Sequence, residues 1–150
     1  MSAMSRTVVL LWVTLVLCLA GWSQGGDPSR TIFPKHWTNL QVMAAFQGAG
    51  LELETIQTGK KEGDDLFANL MPVQSTRFVI PSEQKAEGII FIFDHAEDLE
   101  LVRNYYLALD ESFPMFGSWL YARDNILLQI NKDVPEAEAS QYELALSALK

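Results

Sequence analysis

Two histidines and the carboxylates beside one of them are the first residues of this sequence that could do chemistry. His36 and His95 each lie near the predicted start of a helix, and Asp94 and Glu97 are close to the second histidine. Imidazole and carboxylate groups bind zinc and similar metals, but such sites use short, regular spacings such as HExxH. The two histidines are far apart and no such spacing occurs. We therefore predict no metal site and expect His95 to face solvent.

The densest acidic group could supply an acid and a base, because two carboxylates in different environments can share these roles. It consists of Asp94, Glu97, Asp98 and Glu100. The same residues would occupy the first turn of a helix, where the helix dipole favours negative charge. A structural role therefore accounts for them without catalysis.

Motifs of known enzyme classes are not found. Gly59-Lys60-Lys61 lacks the hydroxyl residue and the upstream glycine of a phosphate-binding loop. Glu62 to Asp65 lacks the alternating ligands and the terminal glutamate of a calcium loop. Ser82 lacks the Gly-x-Ser-x-Gly setting of a nucleophile. We predict that the chain is not an enzyme and uses no cofactor.

A cluster of large apolar residues is the strongest candidate for a binding site. It comprises Phe113, Met115, Phe116, Trp119 and Tyr121, partly within a predicted loop. Large aromatic side chains are ordinary core material, so one interpretation is that they cover the core. The other is that they form a surface for a partner or ligand. If they are exposed, they are the predicted site.

The element that must position this cluster runs from a central strand into a helix. Gly88 to Phe93 is an unbroken apolar run, which is typical of a strand covered on both faces. Asp94 and Glu97 have the spacing of a capping box for a helix from Asp94 to Leu109. The core face of that helix is predicted to consist of Leu99, Val102, Tyr106 and Leu109.

An earlier helix is predicted to begin after Trp37 and to end at Gly48 and Gly50. Thr38 and Gln41 have capping-box spacing, and Trp37 and Val42 have that of a hydrophobic staple. Its apolar side is predicted to be Leu40, Met43, Ala44 and Phe46.

Two strands are predicted between this helix and Gly88. The first is an edge strand at Leu51 to Ile56, followed by a loop at Gln57 to Asp65 and a helical turn at Leu66 to Met71. The second is a strand at Thr76 to Ile80, followed by a loop at Ser82 to Glu87.

The last third is predicted to be a loop, a hairpin and a helix. The loop is Asp110 to Ser118, and strands Trp119 to Ala122 and Asn125 to Asn131 are joined through Arg123-Asp124. The final helix is predicted from the capping-box spacing of Asp133 and Glu136, with Pro135 in its first turn and a core face of Tyr142, Ala145, Leu146 and Leu149.

The order α-β-β-β-α-β-β-α mixes helices and strands without strict alternation. It predicts an α+β domain with a four- or five-stranded, mostly antiparallel sheet and helices packed chiefly on one face. The strand, helix and hairpin from Gly88 onward are partly ferredoxin-like, with parallel strands flanking the helix. At 49% hydrophobic residues, the chain has enough apolar side chains for a real core.

The first 23 residues differ from the rest. Arg6 is followed by an uncharged apolar run from Val8 to Trp22 that ends in small residues, as in a secretory signal. A retained membrane anchor is the alternative, although the run is shorter than the about 20 apolar residues that span a bilayer. Lipid attachment at Cys18 is a third reading, disfavoured because the thiol lies inside the run. We predict residues 1–23 as signal or anchor, 24–36 as linker and 37–150 as one domain.

Charge and cysteine content narrow the classes of partner. Cys18 is the only cysteine, so a cleaved chain has neither disulfides nor cysteine metal ligands. The formal charge of -8, with scattered lysines and arginines, argues against nucleic acid as a partner. Contact with a membrane is expected only through an uncleaved first segment.

Six short stretches of the sequence together carry a resemblance. They are Arg77 to Ser82, Gly88 to Asp94, Asp98 to Tyr106, Phe116 to Trp119, Asp124 to Asn131 and Pro135 to Tyr142. This series resembles a family of small exported bacterial proteins that have no assigned activity. The resemblance implies export and a compact α+β domain, and it brings no catalytic residues.

The functional prediction is an exported, non-enzymatic binding or accessory domain of the cell envelope, in the periplasm or outside the cell. Its partner would be a protein, with a homodimer left open. The alternative is a carrier or sensor that holds a small apolar ligand between sheet and helices, lined by Phe91, Phe93, Trp119 and Tyr121.

Overall fold

In the part of the chain that the structure describes, the fold consists of a five-stranded antiparallel sheet and three α-helices. The computed structural model describes residues 30–58, 74–81 and 86–150, and Thr31–Lys150 form one compact unit. In chain order the elements are α1 (Asn39–Gly48), β1 (Glu54–Thr58), β2 (Gln74–Val79), β3 (Glu87–Ile92), α2 (Ala96–Ser112), a 3-10 turn (Pro114–Phe116), β4 (Ser118–Arg123), β5 (Ile126–Asn131) and α3 (Glu136–Ser147).

The strand order across the sheet is β1-β2-β3-β5-β4, and every neighbouring pair is antiparallel. This confirms the predicted α+β class and element order. Because β3 and β4 both run antiparallel to β5, they run parallel to each other with β5 between them. The unit β3-α2-β4 is thus a split βαβ unit, which is the ferredoxin-like part of the fold.

Both faces of the sheet are covered. Val42 and Phe46 of α1 and Tyr142 and Leu146 of α3 share one core cluster with Ile90 of β3. On the other face, α2 packs against Phe91, Phe93 and Leu127 through Leu99 and Val102. Two of the three helices therefore share a face, and the apolar run of β3 is buried from both sides, as its unbroken pattern predicted.

We call the core cluster on the face of α1 and α3 the larger core and that on the face of α2 the smaller core. The larger core depends on a glycine in β3. Gly88 lies directly opposite Phe78 of β2, whose ring is fully buried. A Cβ atom on Gly88 would lie 2.7 Å from Cε1 of that ring. The ring also packs against Phe46 and Tyr142, at centroid distances of 6.3 and 5.9 Å. The missing side chain of Gly88 thus leaves the space that Phe78 fills.

Tyr142 makes the stability of the domain sensitive to alkaline pH. Burial, followed by the nearby charges of Glu138 and Glu52, raises its pKa to about 12. The ordinary value of 10.0 applies to the unfolded chain, so the folded state holds the proton more tightly. We expect this contribution to be complete below pH 10 and to be lost as the pH rises towards 12. Denaturant titrations across that range should show a shallower loss for Tyr142→Phe than for the wild type.

The start of α1 follows the prediction, but its apolar side does not. Thr38 and Gln41 form the capping box, with the Thr38 side chain accepting from the Gln41 N–H. Val42 and Phe46 are buried, whereas Leu40 is 77% exposed and Ala44 is also exposed. The predicted core face was thus wrong at Leu40 and Ala44, because α1 meets the sheet through the stripe that contains Val42.

The capping boxes predicted for the other two helices are wrong. His95 is the N-cap of α2 and makes no side-chain cap bond. Glu97 instead accepts from the main-chain N–H of Thr31, at 2.9 and 3.1 Å to its two carboxylate oxygens. Pro135 is the N-cap of α3, again without a side-chain bond. The predicted core face of α3 is confirmed at Tyr142, Ala145 and Leu146, and Leu149 is buried just beyond the end of the helix. On α2, Leu99 and Val102 are buried as predicted, whereas Tyr106 and Leu109 are only half-buried.

Hydrogen bonds join the β4–β5 turn and its neighbour Arg123 to Trp37, which precedes α1, and to the end of α3. Its two residues are Asp124 and Asn125, one position later than predicted, and Asp124 has a φ of 49°. Asn125 is fully buried, accepts from the Trp37 N–H at 2.8 Å and donates to the Trp37 carbonyl at 3.0 Å. Asp124 accepts from the Trp37 indole N–H at 2.9 Å. The guanidinium of Arg123 donates to carbonyls at the end of α3, those of Leu146 and Leu149.

Several element bounds differ from the predictions. The strand predicted at Leu51 to Ile56 is β1, which begins at Glu54, runs to Thr58 and is an edge strand as expected. Its last two residues were predicted to be loop. α2 runs to Ser112, so the predicted loop from Asp110 is shorter. The predicted helical turn at 66–71 and most of the loops at 57–65 and 82–87 lie outside the described residues.

The predicted signal or anchor at residues 1–23 also lies outside the described residues. Part of the predicted linker contacts the domain, because Ile32 forms an antiparallel bridge with His95 and Phe33 packs against the smaller core. Within the described ranges, none of the helices is both long and apolar enough to span a bilayer.

Candidate functional site

The connection between α2 and β4 exposes three large apolar side chains within four residues. Phe113 is 55% exposed, Met115 79% and Phe116 61%. We call residues 113–116 the apolar turn. Single exposed apolar residues are normal on protein surfaces, but three large ones in one turn are typical of a contact surface. The sequence left core and surface open for these residues, and the structure places them on the surface.

Main-chain hydrogen bonds hold the apolar turn in one shape. Phe113 N–H donates to the Leu109 carbonyl at 2.8 Å, and Phe116 N–H donates to the Phe113 carbonyl at 2.9 Å. Gly117 N–H donates to the Pro114 carbonyl at 3.1 Å. Because these bonds already restrain the main chain, a contact made by the turn would cost little backbone conformational entropy.

An ion pair closes the turn against the sheet. Lys132 Nζ lies 2.6 Å from an Asp110 carboxylate oxygen, and the Lys132 N–H donates to the Gly117 carbonyl at 3.0 Å. A Cβ atom on Gly117 would lie 2.7 Å from the Lys132 Cδ and would also overlap the Asp110 carboxylate. A side chain at Gly117 would therefore have to displace the Asp110 and Lys132 side chains from their ion pair.

The other two residues of the predicted cluster belong to the opposite side of the molecule. Trp119 and Tyr121 point to the face of the sheet that α1 and α3 cover, where they pack against the larger core. The Trp119 indole N–H donates to the Val134 carbonyl at 2.9 Å. Burial raises the pKa of Tyr121, and Glu143 and Glu136 raise it further. The predicted five-residue site is therefore two groups, an exposed turn and a half-buried pair.

The lining proposed for a small apolar ligand is divided in the same way. Phe91 and Phe93 are fully buried on the α2 face, whereas Trp119 and Tyr121 lie on the other face. The sheet separates the two pairs, so these four residues do not enclose one cavity.

A shallow groove of about 230 Å³ adjoins the apolar turn on the α2 face. Its polar side chains contact one another: Arg77 Nε lies 3.9 Å from a Glu87 carboxylate oxygen, and the Gln129 amide donates to the Ser118 hydroxyl at 2.8 Å. Sequence reasoning missed these four residues. Alternation along each strand shows which residues share a face, but only the pairing of β2, β3, β5 and β4 brings them together. The groove is lined by Arg77, Glu87, Ile89, Tyr106, Phe116, Ser118, Gln129 and Asn131.

The residues considered first for metal or acid–base chemistry are not gathered in a cleft. His36 is exposed, and His95 is the N-cap of α2. Across residues 30–58, 74–81 and 86–150, no three His, Cys, Asp or Glu side chains come close enough together to hold a metal ion. Gly59-Lys60-Lys61, Glu62 to Asp65 and Ser82 lie outside the described residues.

Comparison with protein-family models gives no match, and neither curated proteins nor solved structures match the chain. The exposed apolar turn is therefore the feature of the described residues that best indicates a function.

Proposed function

We propose that the chain is an exported, non-enzymatic binding or accessory domain of the cell envelope that contacts a protein partner through the apolar turn. The observation that carries the proposal is the exposure of Phe113, Met115 and Phe116 on a turn held by main-chain hydrogen bonds. Export is supported by the sequence of residues 1–23, with Arg6 ahead of the uncharged run from Val8 to Trp22.

A protein partner suits this surface better than a small ligand does. Met115 is 79% exposed and the adjoining groove is shallow, whereas small-molecule sites are concave and bury most of the ligand. Exposed aromatic and methionine side chains are enriched at protein–protein interfaces. The adjacent groove adds Arg77 and Glu87, which could form a polar rim around an apolar contact.

Replacing Phe113, Met115 and Phe116 together by serine should abolish partner capture without unfolding the domain. All three side chains are exposed, so each change is expected to alter the free energy of unfolding by no more than about 0.5 kcal/mol. Capture is measured by pull-down and mass spectrometry from the host's membrane and exported fractions, and folding by thermal melting.

Leu40→Ser is the matched control, because Leu40 is 77% exposed on α1, away from the apolar turn. It should capture the same proteins as the wild type. Equal capture by the triple variant and the wild type would disprove the proposed role of the turn. Trp119→Ala is unsuitable as a test, since loss of its contacts with the core and with the Val134 carbonyl would itself destabilise the fold.

Native mass spectrometry of protein purified gently from its host separates the alternatives. A mass beginning near Gln24, bound to another protein, supports an exported interaction domain. An added small-molecule mass would instead favour the carrier. A mass that begins at Met1, found in the membrane fraction, would mean that residues 1–23 are a retained anchor and not a cleaved signal.

A further inference from the structure

The outer edge of β4 is open. β4 lies at one side of the sheet and pairs with β5 alone. Among the described residues, no main-chain group outside this hairpin hydrogen bonds to residues 118–123. Unpaired main-chain groups along a strand are a template for another strand.

The hairpin determines which groups of β4 face outward. Arg123 and Ile126 flank the two-residue turn, so their main-chain groups bond to each other. The Lys132 N–H donates to the Gly117 carbonyl at 3.0 Å, which fits the same alternation at the other end. Since bonded and non-bonded positions alternate, the outward N–H and C=O groups belong to Ser118, Leu120 and Ala122.

The two edges of the sheet differ in how they resist such pairing. The edge strand β1 has a break in register between Thr55 and Gln57 and carries the exposed Glu54. Bulges and charges are the features by which natural proteins block edge pairing. β4 has a regular register and no proline, and its one charged side chain, Arg123, is turned back onto the end of α3. The β4 edge therefore has none of these protections.

We infer that β4 pairs antiparallel with β4 of a second copy of this chain, which joins two sheets into one. Among the three outward residues, Leu120 is the middle one, with Ser118 and Ala122 two positions to either side. A two-fold axis perpendicular to the sheet and next to Leu120 therefore places Leu120 opposite Leu120 of the second copy. Ser118 then faces Ala122 of the second copy, and side chains of the same sheet face meet across the junction. The three outward residues of β4 are themselves uncharged, so no like charges face each other along the paired main chains. The inference goes beyond the proposed function and does not depend on the apolar turn.

Cysteine cross-linking tests both the pairing and its register. In full chain carrying Cys18→Ser, Leu120→Cys should form a disulfide-linked dimer under mild oxidation, because directly opposed Cα atoms lie within disulfide range. Ala122→Cys alone should not cross-link, since its counterpart in the second copy is several residues away. Mixed Ser118→Cys and Ala122→Cys chains should cross-link to each other. Cross-linking of Ala122→Cys alone, or none in any combination, would overturn the inference.

Sedimentation of the Cys18→Ser chain, without any introduced cysteine, measures dimerisation independently of cross-linking. Ala122→Pro removes an outward N–H without touching the bonds to β5, a place where an edge strand tolerates proline. It should weaken dimerisation at least tenfold, whereas the matched Ala122→Thr, which keeps the N–H, should dimerise like the wild type. A wild-type chain that stays monomeric at every concentration tested would contradict the inference. So would a chain whose β4 edge pairs with a strand of another protein. Serine substitutions in the apolar turn should leave dimerisation unchanged, which separates this result from the test of partner capture.

Discussion

Asn125→Ala should lower the free energy of unfolding by about 3 kcal/mol. The side chain is fully buried and makes two hydrogen bonds to the main chain of Trp37, at 2.8 and 3.0 Å. Alanine would leave the N–H and C=O of Trp37 without these partners in a region that water does not reach, and an unsatisfied buried group costs about 1–3 kcal/mol. Asn125 does not have a positive φ, so alanine adds no backbone strain at this position. Urea denaturation followed by Trp fluorescence measures the loss.

Asn131→Ala is the matched control for this prediction. Asn131 lies at the end of β5 opposite to the turn that contains Asn125. It is only half-buried, and its side chain accepts one local bond, from the Asp133 N–H at 3.1 Å. Its loss should cost less than about 1 kcal/mol. If the two variants were equally stable, the bonds between Asn125 and Trp37 would have no special role in joining α1 to the hairpin.

Gly88→Ala should destabilise the domain by about 2–3 kcal/mol through overpacking. The new Cβ atom would overlap the ring of Phe78, with 2.7 Å to Cε1 and 2.9 Å to Cε2. That ring cannot swing into solvent, because it is fully buried and lies between Phe46 and Tyr142. The three-ring cluster must therefore shift as a whole. The change in the denaturation midpoint at constant slope measures the effect.

Two further variants show whether the cause is steric. Gly48→Ala should leave stability unchanged or raise it by about 0.5 kcal/mol, because a Cβ atom there meets nothing within 4 Å and alanine favours helix. Phe78→Leu, which removes part of the ring, should cost less in the Gly88→Ala background than in the wild type. Strictly additive effects of Gly88→Ala and Phe78→Leu would show that the ring and the new methyl group do not compete for space.

Local patterns in the sequence are enough to predict the element order, because apolar periodicity and turn residues are properties of neighbouring positions. Thr38 and Gln41 formed the predicted cap, since nothing else in the described fold engages them. Glu97 has the same spacing from Asp94 but accepts from Thr31, which is distant in sequence. A pattern of neighbours cannot reveal a competing donor that only the tertiary fold brings close.

The candidate site shows the same limit. The sequence placed Phe113, Met115, Phe116, Trp119 and Tyr121 in one cluster because they are close along the chain. The last two lie in β4, where alternate side chains share a face, but which face they share depends on pairing with β5. The exposure of the other three depends on where α2 ends, because that end determines which residues form the connection to β4.

Thr31 and Leu149 lie at the same end of the described domain. Thr31 bonds to Ala96 and Glu97 at the start of α2, and the Leu149 carbonyl accepts from the Arg123 side chain, so both residues lie near the β4–β5 turn. The apolar turn lies at the other end of β4, about 20 Å away for a strand of this length. A domain tethered through the residues before Thr31 would therefore present the apolar turn on its far side. Two copies joined along β4 would point in opposite directions and lose this sidedness, so attachment of both copies to one surface would oppose the dimer.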